Sequence, residues 1–286
     1  MRSAPHLSAF TFTCTAALAL IGCENRGKVS EQSAADEVQR LTPLVKEDVE
    51  QVRKGLPLGA AKLATLTDPD TLANPAGLQK AIATARASVK DLDVAKSTFF
   101  SFADASGTVL RSEADPDMLA GKSVTKAFPS LQKALEPTSG NVEDFGQMQE
   151  MRGVRNGPDL AWVVAHPVKQ GDKVTGMFVT GWSFRLFARH LDEMAKRHLI
   201  EVTQKENKKA PPVAYVFVVK GKTAYGGPIT PDVNVQTVEG LNLIEKTAAG
   251  LFRTNLEITN RAFGLAAQRT PELGDDAAIA VLLSEI

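Results

Sequence analysis

The sequence predicts an α+β protein, with N-terminal helices followed by antiparallel sheet modules, two in tandem. Three observations carry this. Apolar residues recur at helical spacing between Asp36 and Leu92. From Ser97 to Trp182, β-prone runs alternate with turn residues in the order strand, strand, helical connection, three strands. From Val213 to Leu283 a shorter stretch repeats that order. The 286 residues, 43% hydrophobic and 23% charged, suffice for one large or two small domains around ordinary cores.

The chain opens on a secretory pattern. Arg2 precedes an apolar run from Thr15 to Ile21, too short for a membrane span of about 20 apolar residues. Leu20-Ile21-Gly22-Cys23 reads as a lipobox: a small residue before the cut, then a thiol that takes a diacylglycerol. Residues 1–22 are therefore expected to be a lipoprotein signal peptide, with Cys23 lipidated. Acyl chains contribute about 0.8 kcal/mol per buried CH₂, which anchors the chain to a membrane through its N-terminal lipid. Glu24 in place of Asp resembles the Gram-negative pattern for sorting to the outer membrane, facing the periplasm. Residues 23–35 are polar and small, and are expected to be a tether.

Residues 36–74 form the first helical segment, with Val38, Leu41, Val45, Val49 and Val52 as its stripe. Thr42-Pro43 predicts a restart, and Gly55, Pro57 and Gly59 predict its end. Asn74-Pro75 opens the next helix as cap and first-turn proline. Its seam is Leu78, Ile82, Ala85, Val89 and Leu92.

Residues 75–187 hold this helix and the first sheet module. Thr98–Ala103 is a strand, Asp104-Ala105-Ser106-Gly107 a turn, and Thr108–Ser112 the returning strand. A short helix is expected from Phe128 to Leu135. Three strands follow, around Gln147 to Val154, Leu160 to Val168 and Val174 to Trp182. This order is PAS-like. The segments Phe102–Leu110, Leu119–Val124, Ala165-His166-Pro167-Val168 and Gly176–Gly181 resemble a Cache domain, the extracytoplasmic PAS-like ligand sensor of chemoreceptors and sensor kinases. The resemblance covers roughly residues 78–187. It implies a small-molecule ligand between sheet and helical connection, and a protein partner for signalling.

Residues 188–212 are a connecting helix and linker, with Ser183 as cap and Lys208–Pro212 as the linker. Residues 213–286 are a second, smaller PAS-like module. It has strands at Val213–Val219, Thr223–Tyr225, Leu251–Ile258, Arg261–Arg269 and Ala277–Leu283, and a helix at Val238–Ala249.

Chemistry-bearing residues are sparse. Lys plus Arg and Asp plus Glu number 33 each, so no charge field steers nucleic acid. Cys14 leaves with the signal, so no disulfide pair and no thiolate metal cluster remain. His190 and His198 are too far apart for a one-turn chelate, so no metal site is expected. His198 is expected as a core or boundary histidine. The pairs Asp275-Asp276 and Asp115-x-Asp117 read as turns. No nucleophile elbow, phosphate loop, metalloprotease or dinucleotide motif is present, and neither an enzyme nor a cofactor is expected.

Ligand-binding candidates lie on the first module. Alternation puts Trp162, Val164 and His166 on one face of a strand, and Ala161, Val163 and Ala165 on the other. The first set reads either as a pocket wall or as buried core with a satisfied histidine. Arg111 either grips a ligand carboxylate or stands as a solvated edge charge. The Tyr, Arg and Trp-Tyr constellation of amino-acid-binding Cache domains is absent. The sequence thus points to a lipid-anchored extracytoplasmic Cache-type sensor acting through a partner, with a ligand-free structural or interaction lipoprotein as the alternative.

Overall fold

A computed structural model describes residues 16–147 and 159–285, with side chains from residue 27 onward. Helix α1 (Ala16–Leu66) is a single 51-residue rod. Val38, Leu41, Val45, Val49, Val52, Leu56 and Leu63 are fully buried along it. Their spacings of three, four and seven keep them on one stripe. Three shorter helices follow: α2 (Pro69–Ala73), α3 (Pro75–Ala87) and α4 (Lys90–Val94). Asn74 caps α3 by accepting from the Ala76 and Gly77 amides at 3.1 Å each.

The expected restart at Thr42-Pro43 does not occur, nor does the end at Gly55 to Gly59. Pro43 and Gln39, whose carbonyl loses its helical donor to the proline, are both exposed, so water serves that carbonyl. Burial of the stripe outweighs the local cost. Gly55 and Gly59 are sites of close approach: a Cβ at Gly59 would lie 2.5 Å from Leu92 and 2.9 Å from Phe178.

The first sheet holds β1 (Phe99–Asp104), β2 (Val109–Ser112), β3 (Val142–Gln147), β4 (Leu160–Gln170) and β5 (Lys173–Ser183). Its antiparallel order is β2-β1-β5-β4-β3. The β1–β2 turn forms as read: Asp104 Oδ1 accepts from the Ser106 and Thr108 amides at 2.8 and 3.1 Å, and Gly107 has φ +79°. Between β2 and β3 lie α5 (Val124–Ala127) and a 3₁₀ turn (Pro129–Leu135). The middle strand expected at Gln147–Val154 is instead β3, which ends at Gln147; residues 148–154 lie outside the described residues.

Ser183 caps α6 (Phe184–Lys205), so the boundary placed at residue 187 falls inside a helix. The second sheet holds β6 (Val213–Lys220), β7 (Thr223–Gly226), β8 (Phe252–Ile258), β9 (Arg261–Arg269) and β10 (Ala277–Ser284). Its order, β7-β6-β10-β9-β8, is the first sheet's order transposed. The single helix expected at Val238–Ala249 is two pieces, α7 (Asp232–Glu239) and α8 (Leu243–Lys246).

One face of each sheet shares a continuous core with α1 and α6, containing Trp162, Val164, Trp182, Phe187, Val216 and Val281. The opposite faces carry separate cores. Phe128, Leu131, Val163, Met177 and Val179 fill that of the first module. Phe217, Val238, Leu243, Phe263 and Leu282 fill that of the second.

Residues 27–35 are not a free tether. Ser30, Ala34 and Ala35 are buried, and Ser30 Oγ accepts from the Glu285 amide at 3.0 Å. Gly264 of β9 makes room for this turn of α1: a Cβ there would lie 2.0 Å from the Glu31 nitrogen. The helical stripe starts earlier than its polar flanks suggest, because small residues suffice where backbone meets backbone.

Candidate functional site

The sequence-derived candidates share one face of the first sheet, and it is the face covered by helices. Cross-strand pairing sets Trp162 opposite Trp182, Val164 opposite Thr180, His166 opposite Phe178 and Arg111 opposite Phe102. Trp162 and Val164 are fully buried in the core shared with α1, so they do not wall a pocket under the helical connection. That side is lined by Ala161, Val163 and Ala165, the alternative set.

Their polar groups are engaged within the fold. Trp162 Nε1 donates to Glu143 Oε2 at 2.9 Å. Arg53 of α1 grips the same carboxylate through Nε and Nη2, at 2.6 and 2.8 Å. His166 Nδ1 pairs with Asn141 Oδ1 at 2.8 Å, and Asn141 Nδ2 donates to the Arg53 carbonyl at 2.7 Å. Burial, aided by the Lys169 charge, pushes the His166 pKa down. The group ties edge strand β3 to the long helix. Arg111 donates to Gln79 Oε1 at 3.0 Å and lies 3.6 Å from Asp117. Burial alone would raise the Asp117 pKa, but hydrogen bonds from Ser112, Leu119 and Ala120 outweigh it and hold the carboxyl low. Asp117 is a turn residue, as the sequence indicated. His198 is the boundary histidine expected: its ring is 40% exposed and pairs with buried Glu37 at 2.7 Å. Among the described residues no cluster of His, Cys, Asp and Glu could hold a metal.

A cleft of about 630 Å³ opens elsewhere, where the first turn of α6 faces β7 and α7. Arg185, Tyr225, Thr230, Asp232, Gln236 and Glu239 line it. Its size suits a small molecule, though its walls are more polar than those of most such pockets. Short β7 ends at Gly226, Gly227 follows, and both are sites of close approach. A Cβ at Gly226 would meet Thr230 at 2.8 Å, and one at Gly227 would meet the Arg189 backbone at 3.3 Å. The wall is fixed by Glu239 Oε1, which accepts from the Ala224 amide at 3.1 Å. Tyr225 packs edge-on against Phe184, with centroids 5.6 Å apart. Burial raises the Tyr225 pKa, so its hydroxyl stays protonated and can donate. Arg185 comes two residues after the last strand of the first module, so the cleft joins both modules. No sequence motif announced it. The dipeptide Gly226-Gly227 before a helix was the available signal.

No protein-family model matches the chain, and no curated protein matches it by sequence. Solved structures do match. The extracellular domain of a protein described as a histidine kinase, vpHK1S-Z8, superposes with a TM-score of 0.52 at 10% identity, covering 93% of each chain. The likeness is one of fold: a long N-terminal helix with two five-stranded antiparallel sheets, like tandem PAS-like Cache modules. The ligand-binding domain of the Campylobacter jejuni chemoreceptor Tlp3, in complex with L-valine, has a TM-score of 0.49 at 9% identity, over 92% of this chain and 96% of that one. An extracellular ligand-binding receptor from Desulfohalobium retbaense has a TM-score of 0.45 at 11% identity, and the match spans 88% of this chain but 39% of that receptor. In this fold β1 to β5 form the first module, β6 to β10 the second, and α1 is the spine behind both.

Proposed function

We propose that this chain is an extracytoplasmic sensory domain. It is lipid-anchored at Cys23, captures a small polar molecule and acts through a protein partner. The observation that carries the reading is a polar cleft of ligand size between elements of two Cache modules. Asp232, Gln236 and Glu239 offer acceptors there, and Tyr225 and Thr230 offer hydroxyls. The ligand class is therefore a polar molecule rich in hydrogen-bond donors. Because α6 and α7 both border the cleft, a ligand that prefers one spacing of them would shift that spacing and so signal. Anchoring fits the packing of α1: the stretch between Cys23 and the first buried turn at Gly27 is short, so the lipid would hold the second module close to the membrane. Among the described residues no helix is long and apolar enough to cross a membrane.

A thermal-shift screen of small polar compounds tests this, since a ligand of the native state raises the melting temperature with concentration. A hit whose shift is lost in Asp232→Asn and Gln236→Ala supports the reading. A screen without hits, or hits indifferent to both variants, would favour a structural lipoprotein. The closely filled outer face of the first module, with Phe128 and Leu131 against Met177 and Val179, favours that second reading. Metabolic labelling with a fatty acid, compared between the natural chain and Cys23→Ser, tests the anchor.

A further inference from the structure

A second cavity, of about 210 Å³, lies between α1, the segment after α4, and α6. Its polar wall holds the acceptors Glu47, Asp48, Gln51 Oε1 and His190, with Lys96 at its exposed side. Asp48 is 8% exposed, with the charges of Lys96 and Glu47 acting on its carboxyl. Gln51 Oε1 and His190 Nε2 are buried without a partner. Asp48 and Gln51 are three apart on α1 and so share a face. Gln51 Nε2 is turned away, donating to Glu47 Oε1 at 3.2 Å. Leu44, Val94 and Met194 supply an apolar side. Buried acceptors without donors are costly, and several of them around one space define what would complete it.

We propose that this cavity binds a short primary alkylammonium ion. Its N–H groups donate to the Asp48 carboxylate, Gln51 Oε1 and His190 Nε2, and its alkyl end lies against Leu44, Val94 and Met194. The His190 ring then carries its proton on Nδ1. The chemistry is distinct from that of the cleft beside β7, and so is the place.

The surrounding charges agree. Glu47 on α1 and Glu193 on α6 favour a cation, whereas Lys96 and Arg197 oppose it. Lys96 lines the cavity but is exposed, and its own ammonium competes for Asp48. Burial, partly offset by Lys96, pushes the Asp48 pKa up to about 7. With no ion bound, the carboxyl therefore holds a proton below that pH, and a bound ammonium must displace it. Burial and Lys96 push the His190 pKa down, which favours the neutral ring whose Nε2 can accept. Affinity then rises with pH to about 7 and levels off above it.

Calorimetry on the full chain with n-butylammonium chloride at pH 8 tests the assignment. Tetramethylammonium chloride supplies a cation without N–H groups, and sodium chloride controls ionic strength. Butylammonium is expected to bind more tightly than tetramethylammonium. Asp48→Asn is expected to weaken binding about tenfold or more, the loss of a charge-assisted hydrogen bond. Gln51→Leu should weaken it less, and Lys96→Gln should leave it equal or tighter. At pH 5 proton competition should weaken it on the order of a hundredfold. Absence of binding at pH 8 overturns the proposal. So does equal affinity for tetramethylammonium, indifference to both Asp48→Asn and Gln51→Leu, or loss of binding in Lys96→Gln.

Discussion

The two modules share a strand order but not a use of their outer faces. In the first, α5 and the 3₁₀ turn press Phe128 and Leu131 onto Met177 and Val179. In the second, α7 and α8 cover the sheet, yet a polar cleft opens at its β7 edge. A repeated topology therefore fixes where a ligand can be reached from, while the bulk of the side chains at the covering elements decides whether there is room. A second contrast lies along α1. It meets the second sheet through Gly264 and the first through its own Gly59, which faces Phe178 of β5. One helix thus packs tightly on both modules, with the small residue supplied once by the sheet and once by the helix.

The largest expected effect breaks the first contrast. Phe128→Ala opens the filled face of the first module and should cost about 3–5 kcal/mol in chemical denaturation. A cost below about 1 kcal/mol would mean that this face is not tightly packed. Gly264→Ala separates α1 from β9 and should cost about 1–3 kcal/mol by overpacking. A neutral result would detach residues 27–35 from the core.

Asp48→Asn acts on the shared spine. Its folded pKa of about 7 is above the ordinary carboxylate value. The folded state therefore holds the proton that the unfolded state releases, and stability falls as pH rises between about 4 and 7. The variant should remove that slope and gain about 1 kcal/mol or more at pH 7.5. Denaturation curves at pH 4.5 and 7.5 check this. Asp232→Asn, in the exposed first turn of α7, should change stability by less than about 0.5 kcal/mol, so its effect on ligand binding is readable.

Much of this architecture is legible in the sequence. The Asp104–Gly107 turn, the Asn74 and Ser183 caps and the succession of two strands, a helical connection and three strands in each module follow from local chemistry. The unbroken α1 does not, because Pro43 is tolerated only where the freed Gln39 carbonyl meets water. The orientation of β4 does not either. Ala161, Val163 and Ala165 are as apolar as Trp162 and Val164, so alternation names two faces without saying which one meets α1. The cleft escaped because Asp232, Gln236 and Glu239 look like an ordinary solvated helix face. Asp48 escaped because it adjoins the stripe of α1 without belonging to it.

The central claim is that a small polar ligand enters the second module's cleft rather than the filled face of the first. Hydrogen exchange with and without a hit from the polar-compound screen tests it most directly. Protection at residues 223–227 and 232–239, lost in Gln236→Ala, is the predicted result. Protection confined to residues 124–135 and 160–166 would place the ligand in the first module and contradict the account.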